Sequence, residues 1–134
     1  MIAIVCIDDK GGMLFNHRRQ SQDRMLRADL LREAARRPVW MNAYSARQFG
    51  APAENLCVAE DFPDRAGSGE LCFVEDRDLS PLAGKLEGLI LYRWNRTYPA
   101  DLYFTLSLEG WTLERREEFA GSSHEKITKE VYRR

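Results

Sequence analysis

The chain has 134 residues, 44% of them hydrophobic, with 20 Lys and Arg against 21 Asp and Glu and a formal net charge of −1. That length and apolar fraction suit one domain with a full core and exclude a chain too polar to fold. The opening run MIAIVCI stops at Asp8, Asp9 and Lys10, short of a membrane span and with no basic flank, so no signal peptide or membrane anchor is expected and a cytoplasmic location is.

Met1 to Ile7 is a continuous β-branched run, the pattern of a central strand covered on both faces. Asp8 to Gln20 has a Gly pair and no sustained period, and reads as a long loop of the kind that often carries function. Ser21 is placed to cap the next helix, with Asp23 in its first turn. Met25, Leu26, Leu30, Leu31, Ala34 and Ala35 form its apolar stripe, and Arg36, Arg37 and Pro38 close it. Four short apolar strands are predicted at Pro38 to Asn42, Asn55 to Ala59, Glu70 to Val74 and Gly88 to Trp94. The segment YSARQF should be a short helix closed by Gly50, and SPLAGKL a turn or two. Strands alternating with helices imply parallel pairing. The connection DFPDRAGSG has no room for a further strand and helix. WTLERREEF and HEKITKEVYRR read as an antiparallel hairpin at a sheet edge.

Charge and chemistry are unevenly placed along this frame. His17 to Arg37 carries seven Arg against Asp23, Asp29 and Glu33, whereas Glu54 to Asp78 carries eight acids against Arg65 and Arg77. One region should attract anions and the other repel them. Cys6, Cys57 and Cys72 lie in apolar runs, are odd in number and form no C-x-x-C pair, which suits reduced thiols. The two histidines, His17 and His124, are too few and too far apart for a dizinc hydrolase, and no metal site is expected.

The order of pieces resembles dihydrofolate reductase. MIAIVCID is similar to that family's first strand, RADL to the P-A-D-L that carries its active-site acid, and RPVWMNAYSARQFG to its K-P-V-I-M-G-R-x-T-W-E-S-I-G. ADLYF with the following GW, and the closing SSHEKITKEVYRR, resemble its tail. The resemblance implies an α/β fold, with a mixed, mostly parallel sheet, flanking helices and a C-terminal antiparallel hairpin. It implies a single domain over residues 1–134 with a reduced adenosine-binding lobe, and a cleft near the strand ends. It also implies NADPH-dependent reduction of a pterin, with Asp29 as the acid supporting ring protonation. A carboxylate on a partly apolar helix face could have a raised pKa, which suits that work; a boundary Asp paired with Arg32 or Arg36 is the plainer alternative.

Departures from the family pattern fall on the ligands. The Gly-Gly pair that admits the cofactor pyrophosphate is replaced by Glu75 and Asp76. The G-R-x-T is replaced by Asn42, Ala43, Tyr44 and Ser45, and the Arg that grips the substrate carboxylate by Ala53 and Glu54. Ordinary NADPH binding is therefore not expected. On the substrate side the resemblance would gather His17, Arg18, Arg19, Arg93, Arg96 and Tyr98, with Trp94 or Tyr98 able to stack on a ring, and Cys6, Asn42 and Ser45 are further candidate ligand-binding residues. The leading expectation is a small anionic or heterocyclic ligand bound beside Asp29 without NADPH. The alternatives are an active reductase, metal-free RNA cleavage by His17 and His124 with Arg or Lys126, and a non-catalytic module or homodimer joined through the oppositely charged segments. No membrane partner is expected, and nucleic acid is a less expected partner than a small molecule.

Overall fold

The computed structural model describes residues 1–50 and 53–134. Seven strands form one sheet: β1 (Ile2–Ile7), β4 (Val39–Met41), β5 (Leu56–Val58), β6 (Leu71–Phe73), β7 (Gly88–Arg93), β9 (Thr112–Phe119) and β10 (Ile127–Arg133), in the order β5-β4-β6-β1-β7-β10-β9. β1 lies at the centre, parallel to β6 (Ala3 opposite Cys72) and to β7 (Val5 opposite Leu91); β10 pairs antiparallel with β7 and β9. This is the mixed, mostly parallel sheet with a terminal hairpin that the sequence implied.

The period of two along β1 explains why both faces are buried. Ala3, Val5 and Ile7 join Leu89, Leu91 and Phe62 on one face, while Ile4 joins Leu30, Ile90 and Tyr92 on the other. The second face is covered by α1 (Arg24–Ala34), which buries Leu26, Leu30 and Ala34. The C-terminal end of α1 turns through Ala35 and Arg36, both with positive φ (49° and 70°). There the Arg37 amide donates to the Ala34 carbonyl (2.9 Å), and its guanidinium donates to the carbonyls of Ala34 (3.0 Å) and Glu33 (3.1 Å).

Two local expectations are corrected. The N-cap of α1 is Asp23, not Ser21: its φ and ψ of −150° and 126° are extended, and its side chain accepts from the Met25 and Leu26 amides. Asp8 to Gln20 is mostly a hairpin rather than an irregular loop. β2 (Gly12–Phe15) and β3 (Arg18–Arg19) pair antiparallel, and β8 (Leu102–Tyr103) adds to β2 as a second, three-stranded sheet. Asn16 and His17 form its tip with φ of 51° and 62°, a turn geometry that tolerates Asn but is not signalled by a His.

The remaining helices are short: α2 (Ala43–Ala46), running into a 3-10 turn at Arg47–Phe49, and α3 (Phe62–Arg65), with another 3-10 segment at Ser80–Lys85. Gly50, at φ 68°, ends the α2 segment as predicted. Among the described residues, α3 is the only regular element between β5 and β6. No helix of the described residues is long and apolar enough to cross a membrane.

Candidate functional site

Parallel strands deliver their C-terminal ends to one rim, and α/β sheets generally bind ligands there. Asp8 follows β1, Asn42 follows β4, Glu75 follows β6 and Trp94 follows β7 on this rim. Three groups of side chains meet nearby.

The first surrounds Asp29 on α1, which is 5% exposed. Tyr92 donates its hydroxyl to Asp29 Oδ2 at 2.7 Å, Lys129 Nζ lies 2.9 Å from the same oxygen, and Arg32 reaches Oδ1 at 3.1 Å. Lys129, with a side chain only 4% exposed, also contacts Glu33 (2.8 Å) and Glu117 (3.2 Å). Burial raises the Asp29 pKa, but the Tyr92 hydroxyl, Lys129 and Arg32 outweigh it and hold the carboxyl below its ordinary range. The raised pKa that would suit a proton-donating acid is therefore not found. The plainer alternative, pairing with Arg32, is present, and the larger partner is Lys129, from a strand far away in sequence. A cavity of about 390 Å³ borders this cluster.

The second group is built on Glu75. Its Oε1 accepts from the Ser45 hydroxyl at 2.7 Å and from Gln48 at 3.0 Å, and its Oε2 pairs with Arg19 Nε at 3.2 Å. Arg19 is fixed further: its amide donates to the Tyr44 hydroxyl (2.9 Å), its guanidinium donates to the Tyr44 carbonyl (3.1 Å) and its Cζ lies 4.2 Å from the centre of the Tyr44 ring. Asn42 caps α2 through the Ser45 amide and donates to Asp76 at 2.8 Å. Cys6 lies close by on β1. Burial, then the Glu75 carboxylate, push its thiol pKa well above the ordinary value, so it rests as a neutral thiol.

The third group is a cavity of about 310 Å³ lined by Phe15, Asn16, Arg18, Arg19 and Gln20 of the hairpin and by Tyr98 and Pro99. Asp8 assembles it. Its Oδ1 accepts from the Lys10 and Gly12 amides (2.8 and 2.7 Å), and its Oδ2 from Gln20 Nε2 and the Tyr98 amide (both 3.1 Å). Burial raises the Asp8 pKa, but those donors, led by the Gly12 and Tyr98 amides, hold it below the ordinary range. Gln20 Nε2 also donates to the Pro99 carbonyl at 3.2 Å, which fixes the amide orientation and leaves the buried Gln20 Oε1 without a hydrogen-bond partner.

The expected gathering is thus partial. Arg18, Arg19 and Tyr98 share one cavity; Cys6, Asn42 and Ser45 belong to the Glu75 group, to which Arg19 also reaches. Arg93 is elsewhere, paired with Glu130 at 2.6 Å, and His17 is an exposed turn residue. Arg96 contributes its carbonyl to the Asp9 amide. His124 is 4% exposed, stacked on Trp94 with ring centroids 4.4 Å apart. Asp8 and Gln20 were missed. An Asp directly after a buried strand and before Gly-Gly was the available signal, since such residues commonly tie their own turns. Among the described residues no three His, Cys, Asp or Glu side chains cluster in a way that could hold a metal.

The architecture is that of the dihydrofolate reductase fold. Among solved structures, dihydrofolate reductase from Enterococcus faecalis, complexed with NADP(H) and RAB-propyl, superposes with a TM-score of 0.70 over 99% of this chain and 95% of that one, at 11% sequence identity. No known family profile matches the sequence, and no curated protein does.

Proposed function

We propose that the protein uses a dihydrofolate reductase-like scaffold to bind a small planar anion or heterocycle in the cavity between the β2–β3 hairpin and Tyr98, and does not use NADPH in the ordinary way. The observation that carries this reading is one 310 Å³ space that joins a cation to apolar walls. Arg18 lines it, exposed and without a salt bridge among the described residues, and Phe15, Tyr98 and Pro99 supply the walls. A carboxylate or phosphate would sit at Arg18 and a ring against Tyr98.

The Glu75 corner supports the second half of the reading. At this corner the resemblance puts cofactor phosphate, whereas a buried carboxylate already takes the Ser45 hydroxyl and the Arg19 guanidinium. A phosphate brought there would meet the Glu75 and Asp76 carboxylates, and the Ser45 and Arg19 donors are already bonded to Glu75, so the residues present do not fit the cofactor. On this reading residues 1–134 form a single domain whose adenosine-binding lobe is reduced to α3 and its flanking turns, and Asp29 is a structural ion-pair residue.

Calorimetric titration with NADPH, dihydrofolate and a series of aromatic and heterocyclic carboxylates tests the proposal. Carboxylate binding weakened about tenfold by Arg18→Ala is expected. Tight NADPH binding with turnover of dihydrofolate would overturn it.

A further inference from the structure

Behind the Arg18 cavity lies a chain of hydrogen bonds that ligand binding alone does not need. Asp23 Oδ2 is 3.0 Å from His124 Nδ1, and His124 Nε2 is 2.8 Å from the Tyr98 hydroxyl. The carboxylate is fixed by other donors as well. Asp23 accepts from the Met25 and Leu26 amides at the start of α1 and from the Ser122 and Ser123 amides of the β9–β10 turn at 2.9 and 2.8 Å. Burial raises its pKa, but the Ser122 and Ser123 amides and His124 hold it far below the ordinary range, so it is an acceptor only. Nδ1 facing it therefore carries the ring hydrogen, and in the neutral ring Nε2 is left as the acceptor for a hydroxyl. Trp94, stacked on the ring at an interplanar angle of 23°, keeps the imidazole from turning.

We propose that Asp23, His124 and Tyr98 form a proton relay whose hydroxyl end acts as the acid–base group on a ligand held at Arg18, making the cavity a catalytic site. This rests on the binding reading above and adds chemistry to it. In the forward step an acidic proton of the ligand passes to Tyr98 Oη while the proton of Tyr98 passes to His124 Nε2. The imidazolium is then matched by Asp23, and the new ligand anion lies beside Arg18; the reverse transfer restores the resting state. No electron changes hands and no metal takes part. Ser21 Oγ is also within reach of Nε2, at 3.2 Å, but Ser21 does not line the cavity, whereas Tyr98 does.

The relay makes Tyr98 the most reactive phenol of the chain, because His124 removes its proton as the oxygen attacks. 4-(Fluorosulfonyl)benzoate is a suitable probe: the Tyr98 oxygen bonds to sulfur, the S–F bond breaks, fluoride leaves and the phenol proton goes to His124. With the intact protein, mass spectrometry should find Tyr98 modified roughly a hundredfold faster than Tyr103, an exposed phenol that donates to the Ala100 carbonyl. His124→Gln should remove that advantage, Ser21→Ala should keep it, and Arg18→Ala should raise the reagent concentration needed for half-maximal rate without changing the limiting rate. Equal rates at Tyr98 and Tyr103, or modification at Ser21 instead, would overturn the relay whether or not His124→Gln folds. Rapid Tyr98 labelling that is unaffected by Arg18→Ala and equally fast with uncharged benzenesulfonyl fluoride would leave the relay standing and remove the anion site.

Discussion

Two buried aspartates serve the same helix and are held ionised by opposite means. Asp29, on α1, is surrounded by cations: Lys129 is buried with it, and Arg32 covers it from the surface. Asp23, at the helix start, is surrounded by neutral donors, namely four backbone amides, the Ser123 hydroxyl and the His124 ring. A fixed cation leaves its carboxylate nothing to exchange, whereas a histidine can gain a proton on its far nitrogen while its near one stays bonded. The difference teaches that two carboxylates held ionised on one helix can differ in whether their partners are able to exchange a proton. The Asp23–His124 pair lies six residues from Asp29, about one and two-thirds turns along the helix.

The contrast can be broken most sharply at Lys129. Lys129→Met should leave Asp29 and Glu33 buried without their shared cation and cost about 4 kcal/mol in denaturant unfolding; a loss below about 1 kcal/mol would mean that water already reaches the cluster. Acid should have the next largest effect, and it acts on both aspartates. Their folded pKa values are depressed, so each contributes stability that is fully present above the unfolded value near pH 4 and is lost as pH falls through the lower folded value. A melting temperature that falls steadily from pH 4 to pH 2 is expected, and one that stays flat would contradict the assigned pairs. Gly121→Ala sharpens the Asp23 side alone. A Cβ there would press on the Asp23 carboxylate and approach the His124 carbonyl to 2.9 Å, so a loss of about 2 kcal/mol is expected, with the Asp29 cluster untouched. Arg32→Ala is the smallest change. Its side chain is 72% exposed, and removing it should shift unfolding by less than about 0.5 kcal/mol, since Lys129 is the partner that matters.

Strands were the legible part of the fold because their signal is local. MIAIVCI and GLILYRW bury both faces and say so in composition, and all four predicted short apolar strands lie within a residue of their places. The β2–β3 hairpin was not legible, because Asn16-His17 replaces the glycine that normally marks such a turn and β3 is only two residues long. Within the site, Arg18, Arg19 and Tyr98 could be placed together from their positions after β1 and β7. Their partners could not: the Asp23–His124 and Asp29–Lys129 contacts join residues about a hundred positions apart, and no periodicity reports on a pair of that separation. Glu75 was legible as a departure from a glycine, but that its carboxylate would be met by Ser45, Gln48 and Arg19 depended on the hairpin that was missed.

The sheet order has a consequence for synthesis on the ribosome. β10 lies between β7 and β9, so the last of the seven strands to be made is an interior one, and among the described residues β9 has no other partner in the sheet. Until Ile127–Arg133 has emerged, the nascent chain presents two unpaired edges, one on apolar β7 and one on the charged strand TLERREEF. The charges of Glu114, Arg115, Arg116, Glu117 and Glu118 discourage the second edge from pairing with another chain during that interval. The β7 edge, all but one of its residues buried in the finished fold, has no such protection. Arrival of β10 closes the sheet, delivers Lys129 to Asp29 and fixes the turn that holds His124 against Asp23. Both charge networks therefore wait for β10, and a chain truncated before Ile127 should be captured by chaperones rather than persist as a shorter domain.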